Sequence, residues 1–302
     1  MTLELPSWVD AWCRSVLGAP PDELLFSFSH VSEVVGVRLT DGREVVVKGR
    51  GDAFGRTRTC VRAQRLLAEQ GFPCALPLTD VVLSGGSAIH AEVLVAGGEL
   101  DTEDTPAAAA RSAVLLADLV PRLAVMDLGS PLPNPEWVRW DAPPERQAAS
   151  AVPAWIDETQ RSVQAKLAGC GLPPVLGHAD WEAQNMRWQR GEPLVVHDWD
   201  SLALLPEPAL VGTAAGVFAS HGDPTLAPVE SSAAFLDAYA QERGARFSPY
   251  EEEIAWAASL LVALHNARGE LIYDRPRLSF ERLEEQRGER LSRAGVALGS
   301  GA

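Results

Sequence analysis

Apolar positions change their rhythm once along this chain, near residue 100. Before that point they cluster in short β-branched runs. Glu33–Leu39 and Glu44–Lys48 are two such runs, separated by Thr40-Asp41-Gly42, residue types that suit a tight hairpin turn. Leu24–Ser29 alternates weakly, which predicts a neighbouring strand. Val81–Leu83 and Ala88–Val95, joined across Gly85-Gly86, predict two more. Between the hairpin and this pair the spacing turns helical over Arg56–Gln70. It stops at Gly71 and Pro73, the residues that commonly end a helix.

Beyond Gly97-Gly98, a plausible linker, the pattern is helical. Ala107–Met126 has apolar residues at helical spacing, with Pro121 expected to kink it or end it early. Pro131–Pro153 is rich in Pro, Trp and charge and is expected to be a long loop, in which Trp137 and Trp140 are candidates to line a sugar site. Trp155–Ala168 predicts another helix, and Pro173–Val196 a set of short strands and a loop. Three or four helices are expected to close the chain before a frayed Gly-Ser-Gly-Ala tail. One of them opens on Ser248-Pro249-Tyr250-Glu251, a capping-box spacing with Pro at the first helical position. The expected class is α+β, with a small β-rich domain over residues 1–97 and a larger helical one over 98–302.

Composition narrows the function classes. The formal net charge is −15, which argues against nucleic-acid binding, since phosphate backbones demand basic surfaces. Residues 1–99 carry 9 Lys and Arg against 12 Asp and Glu, and the remainder 17 against 29. An acidic second domain attracts cationic ligands, while net acidity also simply keeps a protein soluble. The four cysteines are scattered without paired spacing, so neither a disulfide framework nor a zinc site is expected. No basic segment followed by an apolar run opens the chain, and no apolar stretch is long enough to span a bilayer. The cytoplasm is therefore the expected compartment. Oligomeric state is not legible.

Only two lysines occur, Lys48 and Lys166, against 24 arginines, so a lysine ending an apolar strand needs a reason. The densest chemistry lies in PVLGHADWEAQNMRWQRGEPLVVHDWDSL, which carries His178, Asp180, Asn185, His197, Asp198 and Asp200. Apolar stretches lead into both polar clusters, and strands leading into polar loops commonly aim side chains into a cleft. Asp180 can take a proton there, while Asn185 and Asp198 offer hard oxygens to a cation such as Mg²⁺. The same His and Asp set also suits a transition metal, so a metallohydrolase is an alternative.

The H-x-D-x-x-x-x-N then D-W-D arrangement resembles the aminoglycoside phosphotransferase-like kinases, relatives of choline kinases and protein kinases. DWEAQN is also similar to actinobacterial small-molecule kinases, including amino-sugar kinases. The resemblance implies a two-lobe protein kinase-like fold that uses ATP and Mg²⁺ to phosphorylate a small hydroxylated acceptor, an aminoglycoside or amino sugar. It implies Asp180 as the base, Asn185 and Asp198 as magnesium ligands, and His178 as a structural residue. Val45-Val46-Val47-Lys48 is similar to the family's phosphate-contacting strand, and Ser29–Ser32 lies where a phosphate-covering loop would, with Ser32 as a contact. Glu92–Val95 falls at the hinge, where Glu92 and Leu94 would present backbone groups to adenine. Trp181, Glu182 and Asp200 are candidates to face the acceptor.

The chain departs from the family in two places. The family pairs its strand lysine with a glutamate on the next helix, yet residues 53–68 contain no Asp or Glu. Lys48 is then expected to be held by Gln64, by Asp198 or by something distant, and a nucleotide-binding pseudokinase without turnover is a second alternative. The further aspartate of a Gly-Asp-Leu-Ala motif is also missing, its stretch here reading Pro208-Ala-Leu-Val-Gly-Thr-Ala-Ala.

Overall fold

A computed structural model describes residues 5–29, 32–52, 55–130, 132–135, 137–138 and 152–297. The expected loop at 131–153 lies mostly outside these residues, as do Trp140, His30, Val31 and the C-terminal tail. The chain divides into two compact units. One comprises Met1–Gly98, Met126–Pro133 and Leu194–Asp200, the other Glu99–Val125, Asn134–Pro193 and Ser201–Ala302.

The first unit opens with a helix that the apolar pattern did not signal, α1 (Ser7–Trp12), continued by one π-helical turn over Cys13–Leu17. Five strands follow: β1 (Pro21–Ser29), β2 (Glu33–Leu39), β3 (Glu44–Gly51), β4 (Val82–Ser84) and β5 (Ser87–Val93). They form one antiparallel sheet in the order β1-β2-β3-β5-β4. Between β3 and β4 runs α2 (Arg56–Glu69), close to its expected span.

Register decides what each face of this sheet carries. Val35 pairs with Val47 and Val37 with Val45, so these valines share one face. There, with Ile89 and Ala91, they bury Val9, Trp12 and Cys13 of the N-terminal helical segment. The alternate positions turn the other way. Lys48 pairs with His90, Arg50 with Ala88 and Val46 with Glu92, which gathers Lys48, Arg50, His90 and Glu92 on the second face.

The second unit is mainly helical. Thr105 caps α3 (Pro106–Ala124) by accepting a hydrogen bond from the Ala108 amide. The helix does not end at Pro121 as expected. Pro121 sits in its last turn, where one lost hydrogen bond is offset by burial of Leu116, Leu119, Val120 and Leu123. Next come α4 (Ala154–Ala168) and β6 (Pro174–His178). Two short strands, β7 (Met186–Gln189) and β8 (Glu192–Val196), flank an Arg190-Gly191 turn with both residues at positive φ. β9 (Leu202–Pro206) pairs antiparallel with β6.

Five helices close the chain rather than three or four: α5 (Glu207–Val217), α6 (Val229–Arg243), α7 (Pro249–Ala258), α8 (Leu261–Ile272) and α9 (Leu278–Arg293). Every residue of α5 from Pro208 to Val217 is buried, which marks it as the central helix of this unit. The capping box at Ser248 and Glu251 forms as its spacing predicts. No described helix is long and apolar enough to cross a membrane.

Candidate active site

Lys48 does have a carboxylate partner, but it comes from a strand. Its Nζ lies 2.7 Å from Glu92 Oε1, and Glu92 is 2 % exposed. Gln64, one turn along α2 from Cys60, donates its Nε2 to Glu92 Oε2 at 2.8 Å and to the Ala75 carbonyl at 2.7 Å. Burial pushes the Glu92 carboxyl up, but the charge of Lys48 and the Gln64 hydrogen bond outweigh it and hold the group below its ordinary value. The ion pair is therefore charged.

This corrects the reading of Glu92 as a hinge residue. Glu92 lies inside β5, with its backbone between Val46 on one side and a bridge to Pro77 on the other. Leu94 follows the strand and gives its amide to the Glu44 carbonyl at 3.1 Å. Ser32 ends the β1–β2 connection, whose His30 and Val31 are outside the described residues.

The Asp198 turn belongs to the same unit. Asp198 has φ 61, one of three described non-glycine residues at positive φ. A left-handed backbone costs such a residue on the order of 1–2 kcal/mol, and sites that hold one are often functional. Asp200 ion-pairs with Arg50, and its carbonyl accepts Arg56 Nη1 at 3.1 Å. It is not among the residues that line the cavity described next.

In the second unit, β6 delivers His178 and then the Asp180 loop. His178 is buried edge-to-face against Trp181, with ring centroids 5.7 Å apart. Trp181 is 1 % exposed, and its indole N–H donates to Ser112 Oγ of α3 at 2.9 Å. A large aromatic face beside α3 gains more from burial than from solvent, so it anchors the loop.

Asp180 is half-buried, and Asn185 donates its Nδ2 to Asp180 Oδ2 at 2.8 Å and to the Asp180 carbonyl at 2.9 Å. Because the amide nitrogen faces Asp180, the Asn185 carbonyl oxygen is directed away from that carboxylate. Glu182 is buried and accepts from Gln184 Nε2 at 2.6 Å. Burial, and then the charge of Asp180, push its carboxyl well above the ordinary range.

Asp180 and Glu182 open onto a cavity of about 490 Å³ within this unit, a size typical of small-molecule sites. Its walls carry the amides Gln160, Gln164, Gln184 and Asn266, the imidazoles His221 and His265, and an apolar side from Leu205, Val217, Leu261 and Val262. Trp137 lines it too. Among the described residues no Lys or Arg lines it, and its acids are Asp180 and Glu182.

The donor chemistry suits the groups that the sequence resemblance implies: Asn185 carries a neutral oxygen and Asp198 an anionic one, types that suit a hard divalent cation, and Lys48 carries an ammonium that suits phosphate. Among the described residues, no group of three His, Cys, Asp or Glu is arranged to hold a metal ion.

Three groups of residues escaped sequence reading. Glu92 was read for its backbone at the hinge, and its side chain as the partner of Lys48 was missed. Arg50 lies two positions from Lys48 and so on the same strand face, a signal that was there to use. Gln160 and Gln164 stand one helical turn apart on α4, yet nothing local tied that face to Asp180.

Among curated protein sequences no significant match to this chain is found. Solved structures match closely in shape at low identity. An amicoumacin kinase, in complex with AMP-PNP, Ca²⁺ and its ligand, superposes with a TM-score of 0.63 at 14 % identity, over 92 % of this chain and 89 % of its own. A choline/ethanolamine kinase family protein from Mesorhizobium loti gives 0.63 at 16 %, over 94 % and 96 %. An aminoglycoside phosphotransferase from Alicyclobacillus acidocaldarius gives 0.60 at 13 %, over 98 % and 96 %. At these identities the likeness establishes the protein kinase-like α+β fold. The model of the phosphotransferase enzyme family matches residues 30–206, more than half of the chain. By that match this chain belongs to the phosphotransferase enzyme family, and it is a small-molecule kinase.

Proposed function

We propose that this kinase transfers the γ-phosphate of ATP to a hydroxyl of an aminoglycoside or amino sugar seated against Asp180. The observation that carries the reading is the cavity beside Asp180, whose described lining includes four amides and two carboxyls. Amides suit a polyhydroxylated ligand, and an ammonium on that ligand offsets the cost of placing the buried Glu182 carboxyl beside the half-buried Asp180. Gln160 Oε1, buried without a hydrogen-bond partner, supplies an acceptor for a ligand hydroxyl or amine.

In this reading Asp180 orients the acceptor hydroxyl and takes its proton, while the Asn185 amide on Oδ2 fixes the carboxylate. Asn185 and Asp198 would offer oxygens to magnesium, and Lys48, held by Glu92, would neutralise phosphate charge. Mg·ATP, when bound, would supply the γ-phosphoryl group, whose bond to the β-phosphate oxygen breaks as the acceptor oxygen bonds to phosphorus, leaving ADP. Glu182 receives the amine.

The pseudokinase alternative rested on the missing helix glutamate, and Glu92 offers Lys48 the carboxylate instead. The test is an acceptor screen with labelled ATP, covering aminoglycosides, amino sugars, choline, homoserine and nucleosides. We expect transfer to an amine-bearing sugar. Asp180→Asn should lower kcat roughly 10²- to 10⁴-fold while ATP still binds. Full activity in Asp180→Asn would end the assignment.

A further inference from the structure

Asp198 is held in an unfavourable backbone conformation, and the groups holding it are on the page. The turn from Asp198 runs directly into Asp200, whose two ends are gripped from two different elements. Arg50, at the end of β3, ion-pairs with the Asp200 carboxylate. Arg56, the first residue of α2 and itself buried, donates Nη1 to the Asp200 carbonyl at 3.1 Å. Between them Trp199 is pinned as well, donating its indole N–H to the Val196 carbonyl at 3.0 Å and standing edge-on to Phe72.

The two arginines suit this task for a shared reason. A guanidinium presents several N–H groups in a fixed plane, so each can grip an oxygen directionally rather than as a diffuse charge. Both side chains sit where water is largely excluded. Burial is the main influence lowering the pKa of Arg50, and the charge of Asp198 the main one opposing it, so Arg50 lies within electrostatic reach of Asp198 as well.

From this geometry we infer that Arg50 and Arg56, acting through Asp200, form a clamp that holds Asp198 in the left-handed conformation in which its carboxylate meets the metal. Asp200 is thus a positioning residue, distinct from both an acceptor contact and a second metal ligand. The inference rests on the reading of Asp198 as a magnesium ligand. Groups behind a metal ligand commonly contribute 10- to 100-fold in metal affinity, which sets the effect to look for.

The experiment measures AMP-PNP binding to the full chain by calorimetry, without metal and across a Mn²⁺ series. The variants are Asp200→Asn, Arg50→Ala, Arg50→Lys and Asp198→Asn. Asp200→Asn and Arg50→Ala should each need at least roughly tenfold more Mn²⁺ for half-maximal tightening, with metal-free binding unchanged. Arg50→Lys, which keeps the charge without the planar fork and is the variant least disruptive to folding, should fall between them and the wild type.

An unchanged Mn²⁺ dependence in these variants would reduce the clamp to scaffolding. Loss as complete as in Asp198→Asn would make Asp200 a metal ligand, and loss of metal-free binding in Arg50→Ala would make Arg50 a phosphate contact. Either result overturns the clamp. If the wild type itself shows no metal-dependent AMP-PNP binding, the ATP reading has failed instead.

Discussion

At the scale of single residues, the pair of half-buried Lys48 and buried Glu92 ties stability to the nucleotide contact proposed for Lys48. Glu92 is 2 % exposed and its charge is compensated by one ammonium and one amide. Glu92→Gln would leave the lysine without its counter-charge, which for a buried pair costs about 3–5 kcal/mol. The pH dependence has a definite sign. Glu92 titrates below its ordinary value of 4.5 when folded, so its stabilisation is present above that pH and lost as pH falls through the lower folded value. Thermal denaturation should show Glu92→Gln less stable near neutral pH, with the gap to the wild type closing under acid. Nucleotide affinity should fall in the same variant, because Lys48 loses the group that aims it.

At the scale of elements, the contact between α5 and α7 depends on having no side chain at two positions. A Cβ at Gly212 would stand 2.0 Å from the Ala255 carbonyl oxygen, and one at Gly216 would stand 2.5 Å from that of Ser259. Both obstacles are backbone atoms, which cannot rotate away. Alanine normally favours a helix by about 1 kcal/mol over glycine, but overpacking typically costs about 1–3 kcal/mol, and here the helices themselves must separate. Overpacking should win: Gly212→Ala should lower Tm by several degrees. Gly288, exposed in α9 with nothing near its missing Cβ, is the contrasting case. Gly288→Ala should raise stability by about 0.4–1 kcal/mol, and calorimetric scans of the two variants should move in opposite directions.

At the scale of the whole molecule, Arg290 ties the second unit together. It is fully buried without a carboxylate partner, and donates to Gln286 Oε1 at 3.1 Å, Ser259 Oγ at 2.8 Å, the Ala227 carbonyl at 2.6 Å and Ser232 Oγ at 2.9 Å. Those partners come from α9, the end of α7, the segment before α6, and α6. Arg290→Met keeps much of the volume but strands the Ala227 carbonyl, at about 1–3 kcal/mol for that group alone. Equilibrium unfolding of the second unit should show this loss, with the transition becoming less cooperative.

The sequence by itself determined the β-rich and helical halves, the capping box at Ser248, and the segment that carries Asp180, Asn185 and Asp198. Each of these is written in residues close together in the chain, where strand alternation, helical spacing and loop length act locally. It did not reveal α1, the passage of α3 through Pro121, or the partner of Lys48. Tertiary structure alone decided those. Glu92 is 44 residues from Lys48 in sequence, and only the β3–β5 register sets the two on one sheet face. The cavity beside Asp180 likewise draws its walls from α4, α5 and α8, and the amides on α4 and α8 read locally as ordinary helix surface. Long-range packing chooses which of many polar positions are buried together, and that choice carries no local signature.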